Sequence, residues 1–257
     1  MIDDSTAHPI PETLPILYRD ERLVVVDKPS GLLVHRSPID RHETRFALQI
    51  LRDQLGQRVY TIHRLDKGTS GVLAFGLDPE VARAYGAIFA QRSVVKTYVA
   101  LVRGWTAAAG TIDRPLVAVE DERIGAQTAE PRESQTAFRR MATYELPVRV
   151  DRYATSRYAL VELTPHTGRR HQLRRHLASE SHPIVGDSTY GKGNHNRLFR
   201  DLFGVQRLLL ACTSLEFSPL DGKPALRVEA PLAAGFAALV QRLDAQYAAS
   251  PLSSSVP

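Results

Sequence analysis

Hydrophobic positions along this chain recur at two spacings, and each spacing predicts a different kind of element. From Leu14, the segment PILYRDERLVVVDKPSG turns at Asp20-Glu21 and ends on a β-branched run, Val24 to Val26, before Pro29-Ser30-Gly31, which predicts a β-hairpin. Phe46 or Ala47, Ile50 or Leu51, and Leu55 recur every three to four residues and stop at Gly56, predicting a helix. Pro79 followed by Val81, Tyr85, Ile88 and Phe89 predicts a second. Between them, VYTIHRLDKGTSGVLAFGL is strand-like at both ends with a glycine-rich turn in the middle. Further strands are expected over 94–102, 136–144, 156–163, 208–217 and 225–229, and helices over 168–179 and 232–248. Strands that outnumber helices without alternating with them predict an α+β fold, with a mixed, mostly antiparallel sheet flanked by helices and loops.

No repeat and no linker-like break interrupts Leu14 to Ala248, so one catalytic-sized domain is expected over 14–249. Residues 1–13 and 250–257 are polar or rich in Ser and Pro without hydrophobic period, and are expected to be disordered tails. The start, MIDDSTAHPIPET, lacks the pattern of a secretory signal, and the longest uncharged apolar stretch, from Ala230 to Gln241, is shorter than the ~20 residues of a membrane helix. A soluble, cytoplasmic protein with no membrane partner is the expectation.

Composition sharpens this only slightly. In 257 residues, 33 Lys and Arg against 28 Asp and Glu give a net charge of +5, a lean towards a polyanionic partner. The single cysteine, Cys212, excludes disulfide frameworks and cysteine-based zinc sites.

Three clusters carry candidate chemistry: His63-Arg64-Leu65-Asp66 with Thr69-Ser70-Gly71, Lys96-Thr97-Tyr98, and HTGRRHQLRRHL from His166 to Leu177. Taken alone, an aspartate before Lys-Gly reads as a turn residue, and the last cluster as a solvated basic helix. Helical spacing would put Leu173 and Leu177 on a buried stripe, Arg170 and Arg174 one turn apart beside it, and Arg175 facing away. An arginine bordering a core needs an anionic partner, and Asp66 is the expected one. Zinc is the weaker alternative, because His166, His171 and His176 recur every five residues and do not share a helical face. Neither Gly68-Thr69-Ser70-Gly71 nor Gly191-Lys192-Gly193 has the spacing of a nucleophile elbow or a phosphate loop.

HRLDKGTSGVLAFGLD, from His63 to Asp78, resembles the signature of the RluA group of pseudouridine synthases, and KTYVALVRG, TGRRHQLRRHLA, HPIVGD and QRLLL follow in the family's order. Within that group, KPSGLLVHRSPIDR and SRYALVELTPHTGRRHQLRRHL resemble the members that act on tRNA at uridine 65. The RNA-binding S4 module that larger ribosomal members often carry is not expected before Leu14. The resemblance implies a single pseudouridine synthase catalytic domain, tRNA as the partner, and no cofactor or metal. It makes Asp66 the catalytic carboxylate beside the sugar, with Arg174 holding it ionised and oriented. Tyr98 matches the active-site tyrosine that lies against the uracil, and Arg64 the side chain inserted where the target nucleotide was extruded.

Thr69 and Ser70 are expected beside the substrate, shaping the turn that presents Asp66, with His63 fixing that loop. Arg169, Arg175 and Lys192 would track phosphates. One departure stands out: Ala211-Cys212 occupies the place where relatives have a histidine in RLxLHA, so no role is given to that histidine. Two other readings stay open, a ribosomal-RNA or dual-specificity synthase of the same group and a non-catalytic RNA-binding protein.

Overall fold

The computed structural model describes residues 13–36, 42–118, 130–220, 222 and 224–249. The expected terminal tails lie outside the described residues, apart from Thr13. The chain divides into two compact units, residues 1–96 with 211–233 and residues 97–210 with 234–257.

In the first unit the predicted hairpin forms as β1 (Ile16–Arg19) and β2 (Leu23–Lys28), its turn closed by the Asp20 carboxylate accepting from the Arg22 and Leu23 amides at 2.7 Å. Strand β2 pairs antiparallel with β4 (Ser70–Gly76), and the two-residue β3 (Tyr60–Thr61) adds to the end of β4. Val24 to Val26 and Val72 to Phe75 are fully buried, as suits strands covered on both faces. Helix α1 (Ala47–Leu55) ends on the left-handed Gly56. Helix α2 (Pro79–Ala90) starts from Asp78, whose side chain accepts from the Glu80 and Val81 amides.

The start of β9 (Leu210–Phe217) runs parallel to β4, with Ser70 opposite Ala211 and Gly71 opposite Cys212, and β10 (Leu226–Glu229) pairs antiparallel with β9. The parallel pair needs a glycine. Gly71 has φ of +107°, and a Cβ there would lie 1.9 Å from the Cys212 carbonyl oxygen.

The second unit is built on antiparallel strands in the order β5 (Val95–Arg103), β8 (Ser156–Pro165), β7 (Gln135–Leu146), β6 (Ala109–Asp113). Ala100 and Val102 of β5 and Ala159, Val161 and Leu163 of β8 form its core with Leu173 and Leu177 of α3 (Gln172–Ser179). Helix α4 (Gly193–Phe203) buries His195 and Phe199. Helix α5 (Ala234–Tyr247) buries Phe236, Leu239 and Leu243, and its Asp244 accepts from the Tyr144 hydroxyl at 2.7 Å. Among the described residues, no helix is long and apolar enough to cross a membrane. Among the described residues, mostly antiparallel pairing together with the parallel β4–β9 pair is the α+β arrangement expected.

Two elements were not expected, β6 and α4, and one helix begins late. The helix expected from residue 168 starts at Gln172, because His171 takes a left-handed conformation (φ 55°). Arg170 therefore lies before the helix, and its predicted stacking one turn below Arg174 does not follow from helical geometry. Leu173 and Leu177 are buried as expected, and Arg174 is buried with them.

Candidate active site

The loop carrying Arg64 and Asp66 is fixed from its backbone. Thr69 N–H donates to the Asp66 carbonyl at 3.1 Å, closing a turn over Asp66-Lys67-Gly68-Thr69. Further ties come from the segment after β2: Gly31 N–H donates to the Lys67 carbonyl at 2.8 Å and Ser30 Oγ to the Gly68 carbonyl at 2.6 Å. Lys28, wholly buried, donates from Nζ to the carbonyls of Pro29 (2.9 Å), Leu32 (2.7 Å) and Lys67 (3.3 Å). A buried ammonium is tolerated because carbonyl dipoles surround it. Lys28 thus ties the loop after β2 to the loop that presents Asp66, a positioning task that sequence reading missed although KPSG had been singled out.

Asp66 is half-buried and Arg64 exposed. Thr69 and Ser70 are each 2% exposed. His63 fixes the loop from the other side. Its Nε2 accepts from Ala74 N–H at 3.0 Å, on the stretch of β4 between the residues paired with β9 and those paired with β3, and its ring stacks on Phe89 with centroids 4.6 Å apart.

Burial, and then the nearby Lys96 ammonium, lowers the His63 pKa from 6.5 to about 3. The unfolded chain therefore takes up a proton at His63 below about pH 6.5 that the folded protein refuses until near pH 3, so stability is full above 6.5 and falls as pH drops through this window. At pH 5 this one residue is expected to cost about 2 kcal/mol. Thermal melts of the parent and of His63→Gln between pH 5 and 7 check it: the variant should have the flatter profile.

In the second unit, Tyr98 sits on β5 opposite Leu163 and packs against the core that contains Leu173 and Leu177. Both the tyrosine and α3 thus belong to one face of that sheet. Arg174 meets Asp187 in a two-pronged pair, Nε to Oδ2 at 2.7 Å and the NH2 nitrogen to Oδ1 at 2.8 Å, and its guanidinium lies over the Tyr190 ring at 5.1 Å. Burial alone would raise the Asp187 pKa, but the bonds from Arg174 and from the Tyr190 and Thr189 amides outweigh it and hold the carboxyl below its usual value.

Asp187, the last residue of the HPIVGD segment, is a partner that sequence reasoning did not assign to Arg174. Asn196 of α4 braces it, accepting from Gly186 N–H and donating to the Asp187 carbonyl, each at 2.9 Å. Gln172 braces the preceding loop: its carbonyl oxygen accepts from Thr167 Oγ1 (2.6 Å) and Arg169 N–H (3.0 Å), and its amide donates to the Gln135 carbonyl and Thr136 Oγ1 (3.0 Å each).

The expected phosphate-tracking residues differ in setting. Arg169 and Arg175 each give one guanidinium donor to a backbone carbonyl, of Glu133 and Val117 respectively, whereas Lys192 is exposed just before α4. Of the three histidines weighed for zinc, His176 is fully buried with both ring nitrogens bonded, to Thr136 Oγ1 and the Arg114 carbonyl, and His171 bonds the Tyr190 hydroxyl.

A carboxylate on a rigid loop, a strand tyrosine and an oriented arginine are distributed over a chain whose residues 22–179 match the RNA pseudouridylate synthase family. The chain belongs to that family. It is 50% identical to tRNA pseudouridine synthase C of Vibrio cholerae over 207 residues, 79% of this chain and 85% of that protein. It is equally identical to the protein of that name from Pasteurella multocida over 210 residues, 80% and 86% of the two chains. Among solved structures, human RNA pseudouridylate synthase domain containing 1 aligns with a TM-score of 0.68 at 28% identity, over 95% of this chain and all of that one. Human RNA pseudouridylate synthase domain containing 4 aligns with the same TM-score at 27% identity, over 92% and 94%. This pseudouridylate synthase thus has the α+β fold of its structural neighbours and the isomerase activity of its family.

Proposed function

We propose that the protein isomerises uridine to pseudouridine in tRNA, at position 65, with residues 14–249 acting as one catalytic domain in the cytoplasm. The observation that carries the tRNA reading is the 50% identity to tRNA pseudouridine synthase C across most of both chains. In the reaction the C1′–N1 bond breaks, the uracil turns, and a C1′–C5 bond forms; the proton on C5 is lost and one ends on N1. No electrons are gained or lost, so the reading calls on no cofactor.

Asp66 is the carboxylate facing the sugar, held by the backbone bonds to its loop. Tyr98 lies against the uracil and takes part in the proton transfer at C5. Arg174 acts as a positioning residue for Asp66, its own fork fixed by Asp187. Arg64, exposed two residues before Asp66, fills the gap left by the extruded nucleotide. Arg169, Arg175 and Lys192 supply contacts to phosphates, which give affinity without sequence choice.

The test uses purified protein and unmodified tRNA transcripts. A transcript with uridine at position 65 should be modified and the same transcript with cytidine there should not; faster modification of ribosomal RNA fragments would overturn the tRNA reading. A third transcript, with a mismatch opposite the uridine, examines Arg64. Extrusion from a paired stem costs a few kcal/mol that a mismatch already meets in part. Arg64→Ala should therefore lose at least about tenfold on the paired transcript and recover most of it on the mismatched one. Equal losses on both would make Arg64 a phosphate contact instead.

A further inference from the structure

The second unit holds a polar cavity of about 360 Å³, lined by Arg103, Asp151, Ser181, Tyr190 and Lys192 among others, of which only Lys192 has a task in the function proposed above. Arg103, the last residue of β5, donates from Nε to His195 Nε2 at 3.0 Å and from an NH2 nitrogen to Asp151 Oδ2 at 3.1 Å. His195 Nε2 also lies 3.1 Å from Asp151 Oδ2, while its Nδ1 lies 2.7 Å from the Tyr158 hydroxyl. One ring nitrogen of a neutral imidazole cannot accept from Arg103 and donate to Asp151 at once. Arg103 and Asp151 therefore compete for it, and the Tyr158 hydroxyl, able to donate or accept, follows whichever tautomer is present. The buried histidine can thus be satisfied in either neutral tautomer, one accepting from Arg103 Nε and one donating to Asp151.

The cavity's chemistry favours an anion. Arg103 and Lys192 outnumber the one carboxylate, Asp151, whose side chain is 43% exposed and easily left. A guanidinium fork matches phosphate oxygens as well as it matches a carboxylate. The site also lies beside Arg174, because Tyr190, part of its lining, carries the Arg174 guanidinium on its ring at 5.1 Å. We propose that this cavity takes a single backbone phosphate of the RNA substrate, bound jointly by Lys192 and by an Arg103 that leaves Asp151, to which His195 then donates from Nε2. Asp151 acts as the stand-in that keeps Arg103 in place until RNA arrives. The assignment rests on the RNA-modifying function proposed above and names Arg103 and Asp151 as residues that adjust RNA affinity.

The test measures tRNA binding against salt for the parent and for Lys192→Ala, Arg103→Gln, the double variant and Asp151→Asn, with melting temperatures alongside. Each single cation variant should weaken binding about five- to tenfold and lower the slope of log affinity against log salt by about one. Because both cations serve one phosphate, the double variant should lower the slope by about one rather than two, and its loss should fall well short of the product of the single losses. Asp151→Asn should bind tRNA about two- to fivefold tighter, a gain that a misfolded protein cannot give. Additive losses with a slope change of about two, or unchanged or weaker binding by Asp151→Asn, would overturn the shared site. Inorganic phosphate that raises the parent's melting temperature, with tRNA binding indifferent to all four variants, would put a free anion there instead of RNA and overturn it too. A parent protein that modifies no tRNA would instead contradict the function on which the proposal stands.

Discussion

Asp66→Asn should bind tRNA within about threefold of the parent, melt within a few degrees of it, and form no detectable pseudouridine. The substitution keeps the volume and removes only the charge, and the bonds that hold the loop use backbone groups: Thr69 N–H to the Asp66 carbonyl, Gly31 N–H and Lys28 Nζ to the Lys67 carbonyl, and Ser30 Oγ to the Gly68 carbonyl. A carboxylate that acts on the sugar has no substitute in an amide, which is neither a base nor a nucleophile at neutral pH. Loss of at least about 10³-fold in turnover is expected, more than for any other substitution in the protein. Measurable turnover by a folded Asp66→Asn protein would remove Asp66 from the chemistry.

Arg174→Ala should combine a large loss of activity with the largest loss of stability. The Asp187 side chain is 1% exposed and Arg174 supplies both prongs of its ion pair, so truncation leaves a buried carboxylate without its cation, which typically costs about 3–5 kcal/mol. For a chain of this size that corresponds to a fall in melting temperature of roughly 10 °C. Arg174→Lys retains the charge but not the fork, and should recover stability better than activity if the arginine positions the reacting carboxylate. Asp187→Asn provides the converse check: its remaining oxygen still accepts from the Thr189 and Tyr190 amides, so folding should suffer less than activity. Parallel loss and recovery of melting temperature and turnover across all three variants would make Arg174 purely structural.

How far the sequence could be read depended on whether each feature was periodic or local. Strands β2 and β4 announce themselves as apolar runs, and α1 and α2 by their three-to-four spacing together with Gly56 at one end and Asp78-Pro79 at the other. Strand β6 buries only Ile112, so it leaves no alternation to detect. Helix α4 opens on Gly191-Lys192-Gly193 with no side-chain cap and buries just His195 and Phe199, so its start reads as loop. The late start of α3 depends on a left-handed His171, which no spacing rule announces.

The candidate site divides in the same way. Asp66, Tyr98 and Arg174 are candidates that motifs supply, but Asp187, with which Arg174 pairs in the structure, lies thirteen residues away across a turn. The HPIVGD segment marked its place without its task. Lys28 was hidden for another reason, because a lysine reads as surface until the carbonyls that surround it are known.

The central claim, that this chain makes pseudouridine at position 65 of tRNA, is tested most directly by mapping pseudouridines in total RNA from cells with and without the gene. The account predicts that the modification at uridine 65 of tRNA disappears with the gene and returns with the parent protein but not with Asp66→Asn. Pseudouridine at that position persisting without the gene, with sites in ribosomal RNA lost instead, would contradict it.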